Sequence, residues 1–289
     1  SPTYFWTGEN RNELADRLRE LGVDEAIVHD IVRRDILKTA QDVQYASAAQ
    51  PEVVRDELFR VFREYRGEDC DMAQFTPASR PWQPRLAYVP DGDLFKAIKS
   101  GKVSVVTDHI DRFTSDGVLT KSGELLEADI IITATGFDIC IMGDIAFSVD
   151  GEAVDFGNTF TYRGFMNSGV PNMAWMFGYL RSSWTLRIDM LCETICRLLG
   201  RMQAKGASSV TPTPLPEEWD MVQRPWISEE EFNPGYLKRS LHLLPKQGSH
   251  APWVYEADYY KEREVLPGVD LDEPQLRYHI EDQPAAANG

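Results

Sequence analysis

Residues 128–138 read ADIIITATGFD, and no other run in the chain narrows the possible folds as far. Ile130, Ile131 and Ile132 are consecutive, so a strand built on them is apolar on both faces. A sheet with one wet face needs alternation; a strand apolar on both sides belongs at the centre of a layered α/β sheet. The run therefore predicts a buried central strand. It ends at Thr135-Gly136, where a residue without a Cβ lets backbone come close to a ligand or to another strand. Taken alone, Thr135 and Gly136 fit an ordinary strand-end turn better than a ligand site.

The segments around this run support an α/β reading. VSVVT (103–107), IDRF, GVLT and the stretch from Glu124 follow one another, with turn residues at Ser115-Asp116-Gly117 and Ser122-Gly123, which predicts a small antiparallel meander. Ala174–Phe177 is a further short apolar run ending at Gly178. Helical spacing dominates elsewhere. Leu14, Leu18 and Leu21 form one helix, with Asn10 as a candidate N-cap and Gly22 beyond its end. A second helix is expected from Asp24 to Leu37. Pro51 opens a third, with Val54, Leu58, Val61 and Tyr65 on one face. The clearest helix carries Trp184, Ile188, Leu191, Ile195, Leu198 and Met202 in steps of four and three, with Ser182 or Ser183 as its cap and Gly206 past its end. Arg187, Asp189, Glu193 and Arg197 are assigned to its solvent face, and Trp184 to the core. After Pro212, Pro214 and Pro216 the chain is aromatic-rich and irregular to Tyr278, as expected of a wrapping segment, and residues 281–289 read as a loose tail.

Composition excludes several partner classes. A net charge of −16 opposes phosphate backbones and anionic lipid heads, which argues against nucleic acid and against a membrane face. The cysteines at 70, 140, 192 and 196 form no C-x-x-C pair, and the histidines at 29, 109, 242, 250 and 279 are scattered, so no metal site is expected. A reducing, cytoplasmic setting fits these cysteines best. No two of the 20 glycines lie two residues apart, so the chain holds no G-x-G-x-x-G turn of the kind that accepts a dinucleotide pyrophosphate.

Two places remain as candidate sites. Gly178, Ser182, Ser183 and Thr185 join an apolar run to a helix start, which offers backbone N–H groups to the polar edge of a ligand. A capped structural turn would have the same pattern. Arg85 stands in a proline-rich segment, where an exposed arginine with no special role is the plainer reading.

Several of these segments resemble one known family. ADIIITATGFD resembles the ATG motif of flavin-containing and Baeyer–Villiger monooxygenases. PWQPRLAYVPDGDLFKAIKSGKVSVVTDHIDRFTSDGV (81–118), SGVPNMAWMFGYLRSSWTLRIDMLCETICRLL (168–199) and FNPGYLKRSLHLLPKQGSHAPW (232–253) resemble the same family, and most of all its ethionamide-activating branch. SPTYFW at the start is similar to the segment after the family's second glycine-rich fingerprint.

The resemblance implies an α/β fold that is part of a flavoprotein with two dinucleotide-binding domains, a helical insertion and the small meander. Residues 1–22 and 67–134 would belong to the NADP-binding domain and 23–66 to the insertion. Residues 135–210 would be the later part of the FAD-binding domain, and 211–289 a wrapping segment with its tail. It implies FAD and NADPH as cofactors, O2 as co-substrate, and a ketone or a sulfur- or nitrogen-containing compound as substrate. It also implies that both glycine fingerprints and the family's F-x-G-x-x-x-H signature lie in a missing N-terminal region of the same protein. Arg85 takes the place of the arginine beside the flavin; its permanent charge would hold the anionic nucleophile a ketone requires and then clamp the oxidised nicotinamide cofactor. Ser1 matches a hydroxyl residue beside the cofactor's 2′-phosphate, whereas Pro84 replaces a lysine that many of these enzymes use there. Thr135, Gly136, Gly178, Ser182, Ser183 and Thr185 would contact cofactor. Two alternatives stand beside this reading: a disulfide-reductase-like flavoprotein, and a cofactor-free binding module descended from the family.

Overall fold

A computed structural model of the chain describes residues 3–67 and 70–281. Ser1 and all of the expected tail except Glu281 lie outside the described residues. The chain divides into two compact units, Ser1–Gly136 and Phe137–Gly289.

In the first unit, β1 (Phe5–Gly8) and β2 (Ala87–Pro90) pair in parallel, with Phe5 opposite Ala87 and Thr7 opposite Val89. Parallel neighbours need a long crossover, and three helices supply it. Helix α1 (Glu13–Glu20) is capped by Asn12, not Asn10: the Asn12 side chain accepts from the Ala15 N–H, closing one of the first-turn donors. Helix α2 (Glu25–Ala49) runs twelve residues past the expected Leu37, because no glycine or proline interrupts it before Pro51. Pro51 then opens α3 (Pro51–Arg66), since a residue without an N–H loses nothing in a first turn. α3 buries Leu58 and Phe62. Phe62 meets Phe75 at 4.8 Å and Phe95 at 4.9 Å, and Phe95 stands on α4 (Asp93–Lys99), directly after β2. This aromatic cluster, with Val89, holds the strand pair to its helices.

The meander is present as β3 (Ile110–Phe113), β4 (Gly117–Thr120) and β5 (Leu125–Glu127), antiparallel and in that order. Two expectations fail beside it. Residues 103–107 form no strand. Nor do residues 128–138: Ile130 and Ile132 are 81% and 86% exposed, and Ile131 is exposed as well. The physical reason is pairing. A central strand needs a hydrogen-bonded neighbour on each side, and among the described residues none pairs with this run.

The second unit is organised by α5 (Trp184–Lys205), which ends at Gly206 in the left-handed conformation, where the Gly206 N–H closes on the last carbonyls. Before it come two short hairpins, β6 (Ser148–Val149) with β7 (Glu152–Ala153) and β8 (Thr161–Tyr162) with β9 (Met166–Asn167). After it, β10 (Ser209–Pro212) pairs antiparallel with β11 (Leu276–His279), so the wrapping segment returns to the point where it left. Two short helices, α6 (Gly235–Ser240) and α7 (Tyr259–Val265), interrupt that segment. Leu191 and Leu198 of α5 are buried against Phe160, Tyr162, Phe165, Val210 and Trp253. Burying each leucine contributes about 1.5–3 kcal/mol, which gives α5 most of its anchorage. A second cluster gathers Trp226, Phe232, Leu237 and Tyr255, with Trp175 and Phe177 against it.

Three expectations for this unit are corrected. Residues 174–177 form no strand; they run irregularly, with the Trp175 N–H bonded to the Phe165 carbonyl. Trp184 is 42% exposed instead of anchoring the core. Arg187, assigned to the solvent face, is 0% exposed. The buried stripe of α5 is Arg187, Leu191, Thr194 and Leu198, in steps of four, three and four. It lies beside the stripe that apolar residues alone suggest.

Candidate cofactor-facing turn at the start of the long helix

The turn between Phe177 and Trp184 brings four of the expected residues together. Gly178 is buried, and a Cβ built on it would lie 2.3 Å from Trp184 Cγ and 2.6 Å from Trp184 Cα. The first residue of α5 therefore rests directly on this glycine, and only hydrogen fits between them. The Phe177 and Trp184 rings are 5.2 Å apart, which closes the same contact from the other side. Ser182 is half-buried, while Ser183 and Thr185 are exposed at the helix entrance.

Ser183 occupies the N-cap position with extended backbone, but its hydroxyl does not cap the helix; Oγ lies 2.8 Å from Thr185 Oγ1 instead. No acidic residue stands in the first turn. Among the described residues, then, the first-turn N–H groups of α5 have no side-chain acceptor, and the positive end of a 22-residue helix is open to a ligand. Two serines and a threonine beside it supply hydroxyls that donate or accept. Such an entrance suits an anionic or carbonyl-bearing edge. Close by, Trp175 and Trp226 lie with rings 4.9 Å apart, and their indole N–H groups are buried without an acceptor among the described residues. Phe177 packs on both.

Behind the turn lies a polar network that sequence reasoning missed. The Arg187 guanidinium donates to both carboxylate oxygens of Glu262, and both side chains are buried. Glu262 also accepts from the Tyr179 hydroxyl at 2.5 Å. The Tyr255 ring stacks 4.9 Å from the guanidinium carbon, and its hydroxyl donates to the Gly178 carbonyl at 2.9 Å. Burial pushes the Tyr179 phenol far above its ordinary range, and the Glu262 carboxylate adds to it. Burial does the same to Tyr255, although Arg187 opposes it. Both stay neutral donors throughout the physiological range. The signal available in the sequence was Arg187 at a stripe position, four residues before Leu191.

The other expected residues are placed differently. Arg85 belongs to the first unit, exposed two residues before β2, and its guanidinium makes no ion pair among the described residues. Thr135 and Gly136 close that unit in exposed, irregular chain. Gly136 has φ +109°, which a side chain rarely tolerates, yet nothing lies within 4 Å of where its Cβ would stand. Ser1 lies outside the described residues. Among the described residues no three His, Cys, Asp or Glu side chains cluster as metal ligands, and no helix is long and apolar enough to cross a membrane.

The chain is thus a mixed α/β protein of two units, with an uncapped helix entrance packed on a glycine. Comparison with known proteins finds close relatives. The chain is 39% identical over 280 residues to the FAD-containing monooxygenase EthA of Mycobacterium tuberculosis, covering 96% of this chain and 56% of that protein. It is 41% identical over 280 residues to EthA of Mycolicibacterium smegmatis, with the same coverage. It is 36% identical over 282 residues to a probable FAD-binding monooxygenase, AlmA, of Acinetobacter baylyi, covering 96% of this chain and 55% of that protein. No protein-family model matches the chain. The chain belongs to the FAD-containing monooxygenase family. It spans about half the length of the curated relatives it matches.

Proposed function

We propose that this chain is the C-terminal portion of an FAD- and NADPH-dependent monooxygenase that inserts one oxygen atom of O2 into a ketone, or places it on sulfur or nitrogen. The observation that carries this reading is identity of 36–41% along nearly all of the chain to proteins named as FAD monooxygenases. When bound, the flavin supplies the electron transfer and oxygen activation that no side chain can perform. The chain's own residues would bind, orient and shield. The open start of α5 would direct N–H groups at a polar flavin edge, with the Ser182, Ser183 and Thr185 hydroxyls completing the contact. Gly178 would keep the helix start in place. Arg85 would hold negative charge where the oxygen nucleophile develops, and later orient the oxidised nicotinamide cofactor. Thr135 and Gly136 would carry the chain from the nicotinamide-cofactor domain into the FAD domain, which assigns residues 1–134, with their insertion at 23–66, to the former and 135–210 to the latter. Residues 211–289 would wrap the body. The remaining length of the protein would supply both glycine-rich turns and the strands that pair with Ile130–Ile132.

The test is a labelling experiment on the full-length protein. Given NADPH, isotopically labelled dioxygen and a panel of ketones and thioethers, it should yield a product carrying one labelled oxygen per NADPH consumed. NADPH consumption that depends on a disulfide substrate, with no oxygenated product, would overturn the proposal in favour of a reductase.

A further inference from the structure

Arg187 uses all five of its N–H donors inside the protein. Nε reaches the Glu262 oxygens at 3.0 and 2.9 Å. Nη2 reaches Glu262 Oε1 at 2.9 Å and the Arg163 carbonyl at 2.8 Å. Nη1 reaches the Gly164 carbonyl at 3.1 Å and the Phe177 carbonyl at 2.7 Å. A Cβ on Gly164 would lie 2.7 Å from Nη2 and 2.7 Å from the Tyr255 ring, so the loop comes this close only because residue 164 is glycine. The contacts converge on three consecutive residues. Phe177 gives its carbonyl to Arg187, Gly178 gives its carbonyl to Tyr255, and Tyr179 gives its hydroxyl proton to Glu262. These three residues form the turn on which Trp184 rests.

An ion pair this deeply buried is a poor source of stability, because desolvating both charges cancels much of their attraction and an apolar pair would hold the core as well. What a guanidinium adds is directional: five donors in one plane set the angle of every carbonyl they meet. We infer that Arg187 and Glu262, with Tyr179 and Tyr255, form a positioning unit that sets how the Gly178–Thr185 turn and the α5 entrance meet the flavin. The inference rests on the proposed seat of the flavin at that entrance. None of the four side chains needs to touch the cofactor. They act through the backbone of residues 177–179.

The experiment uses the full-length protein with FAD and three variants. Arg187→Lys keeps the charge but loses the fork. Tyr255→Phe removes only the bond to the Gly178 carbonyl and leaves the ring over the guanidinium. Glu218→Gln alters a buried carboxylate that binds the Leu215 N–H and Gln275, outside the network, and controls for general loss of stability. Each variant is measured for Tm without FAD, for the FAD dissociation constant and for the visible absorption of the bound flavin. Arg187→Lys should weaken FAD about tenfold and Tyr255→Phe about threefold, the size expected for losing one or a few directional hydrogen bonds. Both should shift the flavin band, whereas Glu218→Gln should lower Tm and leave affinity and band unchanged. If Arg187→Lys does not fold, Tyr255→Phe decides. FAD affinity within twofold of wild type and an unshifted band in Tyr255→Phe would overturn the inference. So would an equal loss of affinity in Glu218→Gln. A wild-type protein that binds no FAD would instead remove the functional proposal beneath it.

Discussion

Gly178→Ala isolates the contact on which the helix entrance depends. The backbone of Gly178 does not have the positive φ that penalises a side chain, so alanine adopts its conformation freely. Relieving the unfolded chain of glycine's freedom stabilises by about 0.4–1 kcal/mol. Against that, the new methyl lies 2.6 Å from Trp184 Cα, and a backbone atom cannot rotate away as the end of a side chain would. Overpacking of this kind costs about 1–3 kcal/mol. The net expectation is a loss of roughly 0–2.6 kcal/mol from those two ranges, with α5 displaced at its first turn. Urea unfolding of the second unit, followed through the buried Trp226 and Trp253, reads the stability. FAD titration of the full-length variant reads the displacement. A variant more stable than wild type by the full glycine-to-alanine gain, with undiminished FAD affinity, would refute the claim that the helix entrance is held against this glycine.

Three further outcomes follow from the same contacts. Leu191→Ala should destabilise the second unit by about 2–5 kcal/mol and Leu191→Asp should unfold it, because residue 191 is wholly buried; equal urea midpoints for Leu191→Asp and wild type would contradict this. In the full-length protein, Arg85→Ala should abolish ketone oxygenation while FAD stays bound and reducible by NADPH, and stopped-flow with an unchanged product yield would reduce Arg85 to a loop residue. Hydrogen bonds from Arg201 and then Lys205 hold the Asp272 carboxyl at about 2, against an ordinary 3.8. A folded-state value below the unfolded one gives stability that is complete above the ordinary value and is lost as pH falls through about 2. The advantage of wild type over Asp272→Asn in urea should therefore be small at neutral pH and shrink between roughly pH 4 and 2; an advantage that grows on acidification would contradict the assignment.

What the sequence disclosed depended on how local the cause was. Pro51 announced α3, and the Ser-Asp-Gly and Ser-Gly turns announced the meander, because turn chemistry acts within a few residues. The long helix was legible from its spacing, but its buried face was not. Arg187 and Thr194 fill stripe positions that an apolar count passes over, and Trp184, although it packs on Gly178, is 42% exposed. The Ile130–Ile132 run failed for the opposite reason: its apolar faces state a requirement for neighbours, and the described residues contain none. At the candidate site, Gly178 and the hydroxyls of Ser182, Ser183 and Thr185 were readable as the entrance to a helix, whereas the strand expected before them does not form. The Glu262 and Tyr255 partners were not, since they lie 75 and 77 residues from Arg187 and Gly178. Nothing in local spacing joins them.

The measurement closest to the central claim is amide hydrogen exchange of the full-length protein with and without FAD, read at residues 184–186. Those three N–H groups precede the first intrahelical bond and have no partner within the helix, so they should exchange fast in the apoprotein. If the α5 entrance seats the flavin, FAD should slow their exchange while leaving the buried Leu191–Leu198 segment unchanged. Exchange at 184–186 that is the same with and without bound FAD would contradict the account.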